Sequence, residues 1–295
     1  MKFKFSLYTF ITIFFCSSCE KAIEFDLETV APKLVVEASI ENGQYPIVYL
    51  SKSMGYFSNI NPGVVQNSFV HHAAVYVSNG TQTHRLKEYT LPIAGGYTFY
   101  YYSADPSTPG TLFTGQFGGQ YSLQIITDGQ EYNASTSIPF VTRQVDSLFW
   151  KPAPAGNSAN KVVVMITAKD RQGFGDYIRY YTKRNGEPFY PGLNSVYDDQ
   201  VIDGQSYTVQ IERGRPRDGG LDEEGSFFNK GDTVSLKLAN INKSTYDFWR
   251  TMEFSYASVG NPFSTPTKVL SNISNGALGY FGGYGAQYHQ LIIPQ

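Results

Sequence analysis

The sequence predicts an all-β protein: an immunoglobulin/transthyretin-like β-sandwich over residues 33–141, then a second β-rich domain over residues 142–295 that carries one α-helix. Three observations predict it. Apolar and polar side chains alternate at period two in one run after another. Asn-Gly and Asp-Gly dipeptides separate the runs, and both central residues of a type I′ hairpin turn need positive φ. The chain also holds 23 tyrosines and 2 tryptophans, residues that fit a pleated, half-buried surface.

In the first strand Leu34, Val36, Ala38 and Ile40 share one face, and Lys33, Glu37 and Ser39 the other. Asn42-Gly43 turns the chain into Ile47–Leu50. Ala74–Val77 leads through Asn79-Gly80 to a strand around His84–Leu86. Tyr121, Leu123 and Ile125 alternate with Ser122 and Gln124, and Asp128-Gly129 closes that hairpin. Short strands with frequent turns are the pattern of a sandwich. Pro139 and the polar stretch around Arg143 mark a boundary.

Beyond it, β structure resumes near Val145. Val162, Val164 and Ile166 alternate with Met165 and Thr167, and Tyr177–Thr182 ends at Asn185-Gly186. Asp203-Gly204 precedes Tyr207, Val209 and Ile211, and Val234, Leu236 and Leu238 follow. The spacing then predicts a helix near 244–258. Ser244 with Asp247 approximates a capping box, Tyr246, Trp249, Met252 and Tyr256 recur at helical spacing, and Gly260 and Pro262 stop it. This aromatic stripe is expected to pack on a sheet. In the last stretch Gly276, Gly279, Gly282, Gly283 and Gly285 interleave with Tyr280, Phe281 and Tyr284, before a closing strand at Leu291–Ile293.

The N-terminus carries a different message. Residues 1–18 read as a signal peptide: Lys2 and Lys4, then an apolar run, then the small residues Ser17 and Ser18. The run is too short to span a bilayer. Cys19 follows at once, and the segment resembles the lipobox of bacterial lipoproteins, with Cys16 where Leu is usual. Cys19 is therefore the expected lipidation site and residues 19–32 an acidic tether. A membrane partnership through an N-terminal lipid anchor follows. With Cys16 removed and Cys19 acylated, the folded body has no thiol for a disulfide, a nucleophile or a metal. Loss of Lys2 and Lys4 leaves 21 basic against 25 acidic residues, so no nucleic-acid partner is expected.

Motifs for catalysis are missing from the sequence: there is no His-Glu-x-x-His zinc pattern, P-loop or Gly-x-Ser-x-Gly elbow. His71 and His72, if on a strand, would point to opposite faces, with His84 and His289 far along the chain. The polar stretch Gly214–Asp232 offers Asp218, Asp222, Glu223 and Glu224, hard oxygen ligands of the kind calcium takes, without EF-hand spacing; a solvated acidic loop is the plainer reading. No cofactor is expected.

The start, Cys19-Glu20-Lys21 with Pro32-Lys33-Leu34-Val35-Val36-Glu37, and the end, Asn272-Ile273-Ser274-Asn275-Gly276-Ala277-Leu278-Gly279-Tyr280-Phe281-Gly282, resemble a family of Bacteroidota lipoproteins known as domain of unknown function 4249. The resemblance covers essentially the whole chain. It implies an outer-membrane lipoprotein linked with TonB-dependent receptors, and in that phylum the acids soon after Cys19 (Glu20, Glu24 and Asp26) accord with the cell surface rather than the periplasmic face. The expected function is thus non-enzymatic: an accessory or interaction subunit of such a receptor or of another outer-membrane complex, or alternatively a surface glycan-binding lipoprotein. Of the glycine-rich end, the aromatics Tyr280, Phe281 and Tyr284 are the possible partner surface, against a reading in which glycines admit close strand contact and the rings plug a sheet. Asp146-Ser147-Leu148 and Asp232-Thr233-Val234 resemble tripeptides that Bacteroidota O-glycosylate.

Overall fold

The computed structural model describes residues 31–55, 58–59, 61–93, 96–216, 226–261, 263–265 and 267–295. Cys19, the signal segment and the four acids of the 218–224 stretch lie outside the described residues. The alternating runs become strands β1 (Leu34–Glu41), β2 (Ile47–Lys52), β3 (Ala74–Ser78), β4 (Thr83–Arg85), β5 (Lys87–Ile93), β6 (Tyr97–Ser103), β7 (Gln120–Thr127) and β8 (Gln130–Ser137). They continue as β9 (Gln144–Pro152), β10 (Lys161–Lys169), β11 (Tyr177–Arg184), β12 (Tyr190–Tyr197), β13 (Ser206–Ile211), β14 (Phe228–Asn229), β15 (Thr233–Ile241) and β16 (Leu278–Ile292). Helix α1 (Pro62–Ser68) lies between β2 and β3, and α2 (Lys243–Ala257) between β15 and β16. The turn chemistry is as expected at Asp128-Gly129, where φ is +49° and +71°, both in the region a type I′ turn requires.

Eight strands form one sheet in the order β12-β11-β15-β16-β1-β2-β6-β5. Two smaller sheets cover it: β4-β3-β7-β8, and a second in which β10 pairs with β13, β14 and β9. Strand β16 holds the large sheet together. It runs parallel to β1 from Leu278 to Tyr284 and antiparallel to β15 from Tyr284 to Ile292. Tyr284 is paired on both sides, to Glu41 and to Ile241. The two halves expected on either side of residue 141 therefore share a sheet, and residues 32–295 cluster as one unit.

Side-chain parity on the strands sets the layers. Val36, Ala38 and Ile40 of β1 pack with Val75 and Val77 of β3, Leu123 and Ile125 of β7, and Phe281 of β16. That is the expected N-terminal sandwich. Leu236 and Leu238 of β15 pack with Ile166 of β10 and Ile211 of β13, and Val234 packs with Val162, Phe228 and Ile293. A second sandwich results, contiguous with the first. The opposite face of the large sheet receives α2, where Phe248 meets Ala239, Ile241, Tyr280 and Tyr284. Each of the Val, Leu, Ile and Phe side chains among these contributes about 1.5–3 kcal/mol on full burial.

Four details differ from expectation. Arg143, read as part of a polar boundary, is 1% exposed and pairs with Asp170 (Nε–Oδ1, 3.0 Å); a long cation buries when a carboxylate awaits it. Helix α2 is capped by Asn242, whose side chain accepts from the Thr245 N–H, rather than by Ser244. Its buried positions are Thr245, Phe248 and Glu253, so the expected stripe is rotated, with Tyr246 and Trp249 half-buried and Met252 and Tyr256 exposed. The glycine-rich end is a single 15-residue strand inside the sheet.

Candidate functional site

Where β10 and β13 face β11 and β12 near one end of the large sheet, the structure encloses a pocket of about 420 Å³. Its walls are mainly apolar: Ile166, Ile178, Val196, Ile202, Val209 and Leu238. Four tyrosines stand among them, Tyr180, Tyr197, Tyr207 and Tyr246, with Arg143, Arg250 and Asp198. A pocket of this size with a few placed polar groups suits a small ligand.

Strand parity puts Tyr180 of β11 and Tyr197 of β12 side by side, rings stacked at 6.2 Å and 20°. Burial raises the phenol pKa of both, and the charges of Glu212 and Glu253 add to it; they stay neutral hydrogen-bonding groups at physiological pH. Tyr246, at the start of α2, donates its hydroxyl to Asp198 Oδ2 at 3.1 Å, and burial together with that carboxylate pushes its pKa up to about 12. Arg143 places its guanidinium over the Tyr207 ring, 5.8 Å from the centroid. The pocket thus offers ring faces, neutral hydroxyls and two cations, which is the chemistry of binding a polar ligand with flat or hydroxylated faces.

Behind the pocket, on the other face of β11, lies a buried polar network. Arg179 is 2% exposed. Its Nε donates to Ser195 Oγ at 3.1 Å, and its guanidinium lies over Trp249, 3.3 Å from the ring centroid. Ser195 donates through Oγ and N to Glu253, at 2.5 and 3.0 Å. Trp249 Nε1 donates to Tyr284, which donates to Tyr280. Beside this buried network, and more open to solvent, Lys237 pairs with Glu41, which also accepts from the exposed Tyr288. Buried charges survive only when paired and hydrogen-bonded, and this network meets that condition while fixing α2 to the sheet.

Tyr280, Phe281 and Tyr284 are 4%, 0% and 3% exposed, so they form no partner surface. The physical reason is that β16 is covered on both faces: Phe281 enters the sandwich core, and the two tyrosines lie under α2. The glycines between them admit close backbone. A Cβ on Gly279 would sit 1.8 Å from Val36 O, and one on Gly283 would sit 2.1 Å from Ser137 O. Asn272 bridges to Phe281 twice: Nδ2 donates to Phe281 O and Oδ1 accepts from Phe281 N, both at 2.9 Å. Ser274 exchanges hydrogen bonds with Asn133 of β8. The C-terminal motif therefore stitches β16 to its neighbours.

The His71 and His72 rings lie 6.3 Å apart, tilted at 53°, rather than on opposite faces of a strand. His71 meets Glu88 at 2.6 Å, His72 has φ +58° and is not in a strand, and His84 is buried. Of the two tripeptides, Ser147 is exposed on β9, whereas Asp232 and Val234 are buried. A wider, polar groove of about 720 Å³ crosses β7 and β8 beside residues 271–274; it is lined mostly by hydroxyls and amides and lacks the charged groups of the smaller pocket.

The pocket residues were not marked by the sequence. Tyr180 and Tyr197 look like ordinary strand tyrosines, and Arg143 sits in a stretch that reads as a linker. The available signal was parity: Ile178 and Tyr180 share a face with Ile211 across the sandwich. Among the described residues no helix is long and apolar enough to cross a membrane. A family model described as a domain of unknown function (DUF4249) matches residues 20–289. No curated protein matches the chain.

Proposed function

This chain belongs to the DUF4249 family, and we propose that it is a non-enzymatic lipoprotein of the outer membrane that captures a polar ligand as an accessory subunit of a TonB-dependent receptor. The observation that carries the ligand part is the tyrosine-walled pocket with Arg143, Arg250 and Asp198. The resemblance of its two ends to Bacteroidota lipoproteins carries the receptor part. Two or more acyl chains on Cys19 anchor a protein stably, at about 0.8 kcal/mol per buried methylene. Confinement to a surface then raises the effective concentration toward a membrane partner without any added contact.

A second reading is a stand-alone glycan-binding lipoprotein, favoured by the stacked Tyr180–Tyr197 pair, since sugar faces pack on aromatic rings. Retention of the folded body on immobilised polysaccharides tests the ligand class for both readings. Tyr197→Ala and Arg250→Ala, both at the pocket, should each weaken retention about tenfold or more, roughly the 1.4 kcal/mol of one good contact. Binding undiminished by both variants contradicts the pocket assignment. Retention of the purified chain with no receptor in its membrane complexes selects the second reading.

A further inference from the structure

We propose that Asp170, Asp199 and Asp203 form a binding site for one hard divalent cation, with calcium the best fit. One carboxylate oxygen from each lies within 4.8 Å of the others. Oxygens that share a calcium ion at about 2.3–2.6 Å are separated by no more than about 5 Å, so the three can reach a common centre. All three ligands are oxygen, which selects calcium, magnesium or manganese over zinc or copper. Magnesium demands a near-ideal octahedron, whereas calcium accepts the irregular sets that loops provide.

A second observation points to a missing positive charge. Asp170 and Asp199 are each 2% exposed. Asp170 is met on one side only: Oδ1 accepts from Arg143 Nε at 3.0 Å, while Oδ2 is buried with no hydrogen-bond partner among the described residues. Leaving a buried carboxylate oxygen unmatched costs about 1–3 kcal/mol or more. Asp176 Oδ2 is likewise buried without such a partner. Its backbone N–H donates to Asp199 Oδ2 at 2.9 Å, which places it beside the cluster. Arg143 and Arg171 are the cations paired with Asp170 and Asp176. Four carboxylates against two guanidiniums leave a residual charge of −2, which one divalent ion cancels.

The main chain already holds the other two ligands. Asp199 Oδ2 accepts from the N–H groups of Gly175 and Asp176, and Asp203 Oδ1 from that of Gly173. The ion would tie the segment after β10 to the segment between β12 and β13. Asp198 and Ile202 of the latter line the pocket, so the cation would fix the pocket's lip. The site stands independently of any ligand the pocket takes.

The test uses full-length protein in mild detergent, stripped with chelator and titrated with calcium by calorimetry. One ion per chain should bind, and saturating calcium should raise the thermal midpoint as linkage requires. Asp203→Asn keeps an oxygen for the Gly173 N–H and removes a charge. It should keep the calcium-free midpoint of the wild type and bind calcium at least tenfold more weakly. Asp146→Asn, at an exposed acid on β9, should bind as the wild type does. Should Asp203→Asn fail to fold, terbium luminescence of the wild type replaces it, with emission sensitised by tyrosine and displaced by calcium at one-to-one stoichiometry. No saturable binding up to about 10 mM, roughly tenfold above the ~1 mM weak limit for extracellular calcium modules, overturns the proposal. So does wild-type affinity in Asp203→Asn, which would put the ion elsewhere in the chain, and so does terbium emission that calcium does not displace.

Discussion

His84 condenses much of the protein's local chemistry into one ring. It is 2% exposed. Its Nε2 accepts from the Asp105 backbone N–H at 2.8 Å, and its Nδ1 lies 2.8 Å from Thr111 Oγ1. An Nε2 that accepts carries no proton, so the ring is neutral, with its hydrogen on Nδ1. Burial lowers its pKa from the ordinary 6.5, more than the nearby charge of Asp105 raises it. A histidine whose folded pKa is depressed gives stability that is complete above its unfolded pKa and drains as pH falls through that value. The urea midpoint should therefore decline below about pH 6.5, and nitrogen-detected NMR should show the Nδ1–H tautomer titrating below free histidine. A ring that titrates at or above the ordinary value would refute this reading. Nothing in the sequence around His84 announces it, because the partners come from residues 21 and 27 positions away. The same limit hid the fate of Tyr280, Phe281 and Tyr284. Aromatics among glycines are visible in sequence, but a strand covered on both faces gives no alternation from which exposure can be read.

At the scale of elements, legibility followed local physics. Hairpins were readable because a single dipeptide fixes the turn, as at Asp128-Gly129. Helix α2 was readable from its period and its stop, but its orientation was not. Asn242 reaches the Thr245 N–H and also donates to Thr136 at 2.9 Å, so the cap is chosen partly by tertiary contact. Glu253, a charged residue on that helix, is buried by Ser195 and the neighbourhood of Arg179. Strand β16 was partly readable: glycines for close approach were expected, and Gly279, Gly283 and Gly285 each face a backbone oxygen that a Cβ would strike. Gly283→Ala should accordingly destabilise by about 2 kcal/mol or more, within the range for forcing extra atoms into packed structure. Chemical denaturation measures it. Gly276→Ala, where a Cβ meets no atom within 4 Å, should cost less, its penalty coming only from positive φ. Equal losses at the two positions would contradict the close-packing account.

For the whole molecule, the decisive feature is that the eight-stranded sheet draws β1, β2, β5 and β6 from one half of the sequence and β11, β12, β15 and β16 from the other. Sequence reading divided the chain near residue 141 because strand patterns report local periodicity and are silent on which distant strand becomes a neighbour. The parallel pairing of β1 with β16 joins residues that lie more than 240 positions apart. The two halves should therefore unfold in one transition, with tryptophan fluorescence, reporting residues 150 and 249, coincident with far-ultraviolet dichroism. A fragment ending near 141, lacking β16, should stay unfolded. Two separated transitions would restore the two-domain view.

The same scale carries the functional reading, since a folded body with a ligand pocket acts for a receptor only if it is held beside one. Affinity purification from gently solubilised membranes, with Cys19→Ala alongside the wild type, measures this. The wild type should bring down an outer-membrane receptor barrel at near-stoichiometric amount, and Cys19→Ala should lose both the membrane and the barrel. Wild-type protein recovered without any barrel, or equally membrane-bound after loss of Cys19, would contradict it.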